Sequence, residues 1–460
     1  MQSLLGGKKD EKYGATDEEL QPEPLHRRLS SGSIGEVVEA LLPFDDGDVV
    51  SIQDVNHDAS LSSEVANMIK NIVGAGVLSL PGGLALFADS PSGVVPAVFW
   101  ILVLGAVFGY FCVLIARACD LTFSSTYREC WEKTMPRGAL LVSLSQALKP
   151  AMANLAYASI LSQTGVSLLE YLDIYWSRIS VLWIITLVAL LPLCLLKNLR
   201  VLAPFSVLGT AGILYTALGM LIRYVDGSYQ PGGVFHEKIG VSLRPSFGTK
   251  NEGWGIEALP FVCMVFESYI MHYNAPRFYM ELEAASIPRF TRLVSYSFGA
   301  SAAIFCLMTL VGFLTFGSHS DSYILNNYAN SDPIMTVSRL TIFIAILLSY
   351  PLAFVGFRDG VIDSLGISSE KQTSANINLL TVVLLFMLTI LAMLITDLGL
   401  INAVGGGTIA TALCFVFPAL MYDSAVVQDK GQRTTECYFA LTLMVIGIML
   451  GLVGVWVAIE

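Results

Sequence analysis

The chain has 460 residues, 54% of them hydrophobic and 14% charged, with a mean hydropathy of +0.65 and a formal net charge of −11. A soluble domain carries about a quarter charged residues, so one large soluble domain and a disordered chain are both excluded. A nucleic-acid binder is excluded as well, because the chain is acidic and has no basic stripe.

Residues 1–63 read as an acidic cytoplasmic tail. Before Glu64, thirteen acids from Asp10 to Asp58 stand against five bases, which accounts for −8 of the −11. Few aromatics and many Ser, Gly, Asp and Glu predict disorder up to Ser60. There is no apolar h-region, so the first span is expected to act as the membrane signal. Arg27-Arg28-Leu29-Ser30 fits a basophilic kinase pattern, of a kind that mostly arises by chance.

A bilayer core needs roughly 20 apolar residues as helix, and the remaining chain offers eleven such spans. They cover 65–87, 94–116, 138–169, 179–196, 201–222, 254–279, 293–316, 333–357, 377–395, 398–421 and 437–459. The ninth and tenth are separated by little more than Thr396-Asp397, where a tight turn and a single long helix look alike in sequence. With the N-terminus cytoplasmic, eighteen of the 26 Lys and Arg residues fall on that side and five on the other. This is the bias that the positive-inside rule describes, and it places the C-terminus outside. The membrane is expected to be the plasma membrane or that of a vacuole or lysosome.

Irregular backbone and charge inside a bilayer are costly and therefore mark sites. In the first span Gly74-Ala75-Gly76 is followed by Pro81, which cannot donate to the Val77 carbonyl. This predicts a broken helix. A break exposes N–H groups at the start of one half and carbonyls at the end of the other, and a zwitterionic amino acid fits both. The other reading of the glycines is close helix packing. The sixth span places Glu267, His272 and Asn274 just before Pro276. Glu267 falls roughly 20 Å into that span at 1.5 Å per residue. There an ionised carboxylate needs a partner or a proton, while His272 also fits a hydrogen-bonded core position.

Breaks in spans one and six, with five spans, then five more, then one extra, follow the arithmetic of an inverted repeat with an appended helix. The predicted domains are therefore the tail, a ten-helix core over 64–421 with repeats 64–222 and 254–421, and a final helix over 437–459. The third span carries Ser143, Ser145, Gln146, Lys149, Asn154, Ser159, Ser162, Gln163 and Thr164, so it should line a cavity or pack inside the bundle. Lys149 lies too deep to snorkel and needs a carboxylate or a wet pocket, Glu267 being one candidate partner. Asp397 reads as an outer-turn residue. The eight cysteines lack metal-finger spacing and read as small packing residues.

These residues resemble the amino acid/auxin permease family, and within it the neutral amino acid transporters related to the sodium-coupled group. The first span matches at Asn67, Gly74, Gly76 and Pro81, and the sixth at His272, Tyr279, Glu281 and Leu282. Leu314-Thr315-Phe316-Gly317, Ile324 to Tyr328, Ser349-Tyr350-Pro351 with Arg358, Asp397-Leu398-Gly399 and Pro418-Ala419-Leu420 follow in the family's order. The resemblance implies an all-α LeuT-like five-plus-five repeat plus one helix, alternating access, and an amino acid held between spans one and six. The expected substrate-binding residues are Asn67, Gly74, Ala75, Gly76, Phe266, Glu267, Ser268 and Tyr269, with Tyr157 near the break.

One departure concerns coupling. Where sodium-coupled members place an Asn and a Thr, this chain has Lys70 and Ser349. Lys70 is expected either to replace the ion by bridging to Ser349 or to snorkel to the cytoplasmic face. Lys70, Ser349, His272 and Lys149 are thus the expected coupling or ion-site residues. No metal or other cofactor is expected beyond a coupling H+ or Na+.

The function expected is transport of amino acids, neutral ones foremost, sodium-independent or proton-coupled. A sodium-coupled carrier and an amino-acid sensor signalling through a protein partner of its tail are the alternatives. A channel fits less well, having no filter segment. A membrane enzyme lacks a reactive constellation. Partners reduce to the solute and the bilayer, without nucleic acid, and the sequence leaves the oligomeric state open.

Overall fold

The computed structural model describes residues 59–196, 206–367 and 372–460. The predicted tail lies outside the described residues as far as residue 58. Its last residues already belong to the fold: Ser60 caps the first helix, accepting from the Ser63 amide, and Ala59 pairs with Leu282. The helical core thus begins at Leu61, inside the segment assigned to the tail, because a Ser N-cap satisfies an otherwise orphaned amide.

The fold is helical, with three isolated β-bridges among the described residues. Its helices are α1 (Leu61–Ile72), α2 (Leu80–Phe87), α3 (Val94–Thr122), the short α4 (Tyr127–Thr134) and α5 (Ala139–Tyr171). Then come α6 (Arg178–Cys194), α7 (Ser206–Val225), α8 (Leu259–Tyr269), α9 (Ala275–Glu281) and α10 (Ile287–Phe316). The last are α11 (Pro333–Ser364), α12 (Ser374–Leu394), α13 (Leu398–Lys430) and α14 (Thr435–Ile459). Ile395 to Asp397 form a true turn between α12 and α13, and Asp397 is exposed and caps α13 through the Gly399 and Leu400 amides.

Among the described residues, seven helices are long and apolar enough to cross a bilayer, and the bent pair α1 and α2 makes an eighth. Length and apolarity alone therefore do not establish eleven spans. α5 is diluted by its polar residues, α6 is short, and α8 stops after eleven residues. Residues 201–205, the start of the fifth predicted span, lie outside the described residues.

Two long helices depart from α geometry for identifiable reasons. α6 contains a π segment, Thr186–Leu190, just before Pro192. α13 contains two, Gly406–Ala410 and Ala412–Val416, before Pro418. Pro418 cannot donate to the Leu413 carbonyl five residues back, and the Tyr127 hydroxyl takes that carbonyl at 2.8 Å. A Cβ at Gly406 would collide with the Cys263 carbonyl, so α13 reaches α8 only because this residue is glycine.

α5 packs along α11, α3 along α10, and α8 lies enclosed among α3, α13 and α14. The end of the bundle where α1 and α5 begin is called proximal here. At the opposite, distal end the segment from α7 to α8 folds back over the bundle. Asn251 pairs with Ala88, and Ser246 with Gly317, whose φ of 63° and close approach to the Ser246 carbonyl require glycine.

Candidate functional site

Both expected breaks are present, and they face each other. α1 stops at Ile72, and Val73 and Gly74 run extended. A 3-10 segment, Ala75–Ser79, then leads into α2 with a 46° bend. Pro81 falls in the first turn of α2, where its missing N–H is harmless. It starts the second half-helix rather than breaking the first, and the break itself lies at Val73-Gly74. In the sixth span α8 ends at Tyr269, Ile270 is extended, and a 3-10 turn, His272–Asn274, leads into α9, with Pro276 again in the first turn. A Cβ on Gly76 would sit 3.5 Å from Ser268 Oγ.

Between the breaks lies a cavity of about 380 Å³. Asn71, Gly74, Ala75 and Gly76 form one wall, and Glu267, Ser268 and Tyr273 another. α5 adds Gln146, Lys149 and Tyr157, α11 adds Ala353 and Gly356, and α13 adds Asn402. No carbonyl among the described residues accepts from the Gly74, Ala75 or Gly76 amides, as expected at a helix start. Nothing lies within 4 Å of a Cβ placed on Gly74, so that residue opens onto free space.

Lys149 Nζ pairs with Glu267 Oε1 in the cavity wall. Asn402 Nδ2 donates to Ser79 Oγ at 2.9 Å, and Asn274 Nδ2 donates to Asn71 Oδ1 at 3.3 Å, the latter joining the two broken spans. Asn71, Gly74 and Gly356 are exposed, so the cavity is open on the proximal side. Distally it is shut. Gln163 accepts from Asn326 Nδ2 at 2.6 Å and donates to the Thr396 carbonyl at 3.3 Å, and Thr164 bonds Tyr323 at 2.8 Å.

The predicted residues divide by helical phase. Gly74, Ala75, Gly76, Glu267, Ser268, Lys149 and Tyr157 line the cavity. Phe266 and Tyr269 do not: three residues apart, they share the opposite stripe of α8. Phe266 packs at a tilt against Phe108 and Phe415, while Tyr269 packs on Phe298 and Phe305 and donates to the Ile101 carbonyl at 3.2 Å. His272 is fully buried away from the cavity, with Nε2 at 2.9 Å from the Phe108 carbonyl. This is the hydrogen-bonded core position.

Asn67 is exposed and donates to Glu64 Oε1 at 3.1 Å, nearly two turns before the break. Among the described residues Lys70 has no hydrogen-bond or ion-pair partner, and Ser349 makes no hydrogen bond. The Lys70–Ser349 bridge is not formed, because Asn71, not Lys70, is on the stripe of α1 that meets the cavity. Gln146 lines the cavity from the third span, whose polar residues predict such a position, whereas the sequence does not mark Asn71, Asn402 or Tyr273 as site residues. For Asn402 the available signal was an amide within the apolar run from Leu398 to Val404.

The bundle and its polar cavity define a multi-pass integral membrane protein built around a solute-sized site. The chain belongs to the transmembrane amino acid transporter protein family, whose profile matches residues 57–460. It is 23% identical over 408 residues to the putative sodium-coupled neutral amino acid transporter 11 of Bos taurus, covering 86% of this chain and 83% of that protein. It is 22% identical over 440 residues to amino acid transporter AVT6E of Arabidopsis thaliana, covering 90% and 86%. Among solved structures it matches Mhp1 in an inward-facing conformation with a TM-score of 0.53 at 12% identity, covering 90% and 92%. It matches a mutant manganese transporter of Eremococcus coleocola with a TM-score of 0.52 at 12% identity, covering 89% and 90%. These neighbours have the LeuT-like fold that the family resemblance implied. The protein is thus an amino acid transporter by family and not an enzyme.

Proposed function

We propose that the protein carries neutral amino acids by alternating access, as a secondary carrier with eleven spans and a five-plus-five inverted repeat. The α5, α6 and α8–α9 segments complete the count. The observation that carries this reading is the cavity between two facing helix breaks, open at one end and closed by hydrogen bonds at the other. The amides of Gly74 to Gly76 suit the solute's carboxylate, and the carbonyl ends of α1 and α8 suit its ammonium. Lys149 and Glu267 cancel each other, so the cavity wall favours a solute without net charge.

The positive-inside bias puts the proximal end in the cytoplasm, which makes the described state inward-open. The related transporter's name offers sodium coupling as the alternative. The Lys149–Glu267 pair favours a sodium-independent or proton-coupled cycle, since the cavity's carboxylate already holds a cation.

Uptake of labelled amino acids into proteoliposomes, under imposed proton and then sodium gradients, tests the reading. Saturable uptake of neutral amino acids that ignores sodium supports it. Uptake that requires sodium keeps the carrier and removes the coupling assignment. Absence of any uptake or exchange by folded protein removes the carrier and favours sensing through the tail.

A further inference from the structure

Glu267 and Lys149 have side chains only 9% and 13% exposed. One carboxylate oxygen, Oε1, takes the ammonium, and among the described residues the other, Oε2, is buried without a partner. A Cβ placed on Gly405 of α13 would stand 3.2 Å from Oε2, so this oxygen rests against bare helix backbone. Having no accessible surface, Oε2 is out of a solute's reach.

Such a pair is a poor device for stability. Desolvating two ions is costly, and apolar residues of similar volume in their place are often neutral or stabilising. Its position is informative instead. Lys149 belongs to α5, which packs along α11, and Glu267 belongs to the end of α8, two residues before the break. Opening the distal side and closing the proximal side requires the broken span to shift against α5. When the two part, a lone carboxylate remains in a dry wall, which is strongly unfavourable unless it is neutralised. A proton is the one neutralising species that needs no added space.

We infer that Glu267 carries the coupling proton of the transport cycle and that Lys149 is its counter-ion in the proximally open state. In the distally open state Lys149 is withdrawn and the carboxylate binds one proton from the distal side. On return the ammonium re-forms the pair, and that proton leaves on the proximal side. One proton thus moves with the solute, in the same direction, and no covalent bond of the solute changes. The titratable and charged groups facing Glu267 are Lys149 and Tyr157 of α5, Tyr273 of the break and Cys414 of α13. Lys149 is the one full charge among them. This inference rests on the carrier reading above.

The test uses the full chain in proteoliposomes with two readouts: counterflow of a labelled neutral amino acid without any gradient, and its accumulation under an imposed pH gradient. The wild type is expected to do both. Glu267→Gln, a residue of the cavity wall, is expected to lose pH-driven accumulation by at least about tenfold beyond whatever counterflow it loses, which is 1.4 kcal/mol of driving force. Glu267→Asp is expected to restore it. Accumulation by Glu267→Gln equal to that of the wild type overturns the inference. So does a loss of accumulation by folded Glu267→Gln no larger than its loss of counterflow, which would make Glu267 a solute anchor. Should that variant not fold, solute-driven proton entry into wild-type vesicles, read with an enclosed pH dye, decides: about one proton per solute supports the inference and none overturns it. Counterflow in the wild type without pH-driven accumulation removes the inference and leaves the carrier, whereas absence of counterflow removes the carrier itself.

Discussion

Asn402 of α13 donates to Ser79 Oγ at 2.9 Å, and Ser79 Oγ donates to the carbonyl of Gly76 at 2.8 Å. Two hydrogen bonds thus tie the tenth predicted span to the break in the first, beside the cavity. They fix the Gly76 peptide in the cavity wall. Loss of one such bond costs about 1 kcal/mol. Asn402→Ala is expected to raise KM for uptake by about fivefold with a smaller change in kcat, as initial rates over a solute concentration series will show.

Gly74 opens onto the cavity, so a side chain placed there occupies it. Gly74 has φ −113° and ψ −174°, which any residue adopts, and a Cβ there meets nothing within 4 Å. Gly74→Ala is therefore expected to fold with a thermal midpoint close to the wild type's. Gly74→Leu, whose side chain extends into the cavity, is expected to fold and to lose uptake by at least about tenfold, equivalent to 1.4 kcal/mol. Size-exclusion profiles and uptake on the same preparation separate the two effects.

Lys70 has no partner among the described residues. Lys70→Asn is accordingly expected to leave uptake within about twofold, below 0.5 kcal/mol, and still insensitive to sodium. Uptake in sodium-containing and choline-containing buffer checks it. A variant that becomes sodium-dependent would return Lys70 to the coupling site.

At the start of α11, Asp332 is fully buried and accepts from both Arg223 Nε and Nη2 at 2.8 Å. The Tyr229 hydroxyl adds a third bond at 2.9 Å, and the Ile334 amide caps onto the same carboxylate. Breaking a buried pair from one side costs about 3–5 kcal/mol. Asp332→Ala is expected to lower the thermal midpoint in detergent sharply, whereas Lys250→Ala, which removes an exposed pair with Glu252, is expected to leave it nearly unchanged.

Asp321 lies in the distal loop, and burial raises its carboxyl above the ordinary range. The charge of Asp397 adds to the rise, while the Tyr323 amide and Asn326 oppose it. A carboxyl raised in the folded state contributes stability that is fully present below its unfolded pKa and is lost as pH rises through the folded value. Asp321→Asn is therefore expected to gain stability relative to the wild type as pH rises from about 4 to about 7. Thermal midpoints across that range measure it, and a difference that does not vary with pH contradicts it.

Charge and irregular composition inside apolar runs carried most of what the sequence disclosed. Gly74-Ala75-Gly76 located the first break, and Lys149 and Glu267 stood out because ions are rare at that depth. Helical phase was not legible. Phe266 and Glu267 are neighbours in the chain and face opposite sides of α8, which is settled by packing against α3 and α13. Each half-helix restarts its phase after a break, so Asn67 and Lys70 could not be aligned with Gly74 by counting. Asn402 was invisible for another reason: one amide in an apolar helix reads as ordinary hydrogen bonding until its partner, Ser79, is seen beside it.

The most direct measurement places a cysteine in the cavity and asks whether the solute covers it. Gly356 is exposed, lines the cavity, and has room for a Cβ at 3.7 Å from Pro150. All native cysteines but the half-buried Cys306 are buried, so Gly356→Cys in a Cys306→Ser background reports on this site. A neutral amino acid is expected to slow its modification by a polar thiol reagent several-fold, with a sugar of similar size having no effect. Modification at the same rate with and without every amino acid transported would contradict binding between the two breaks.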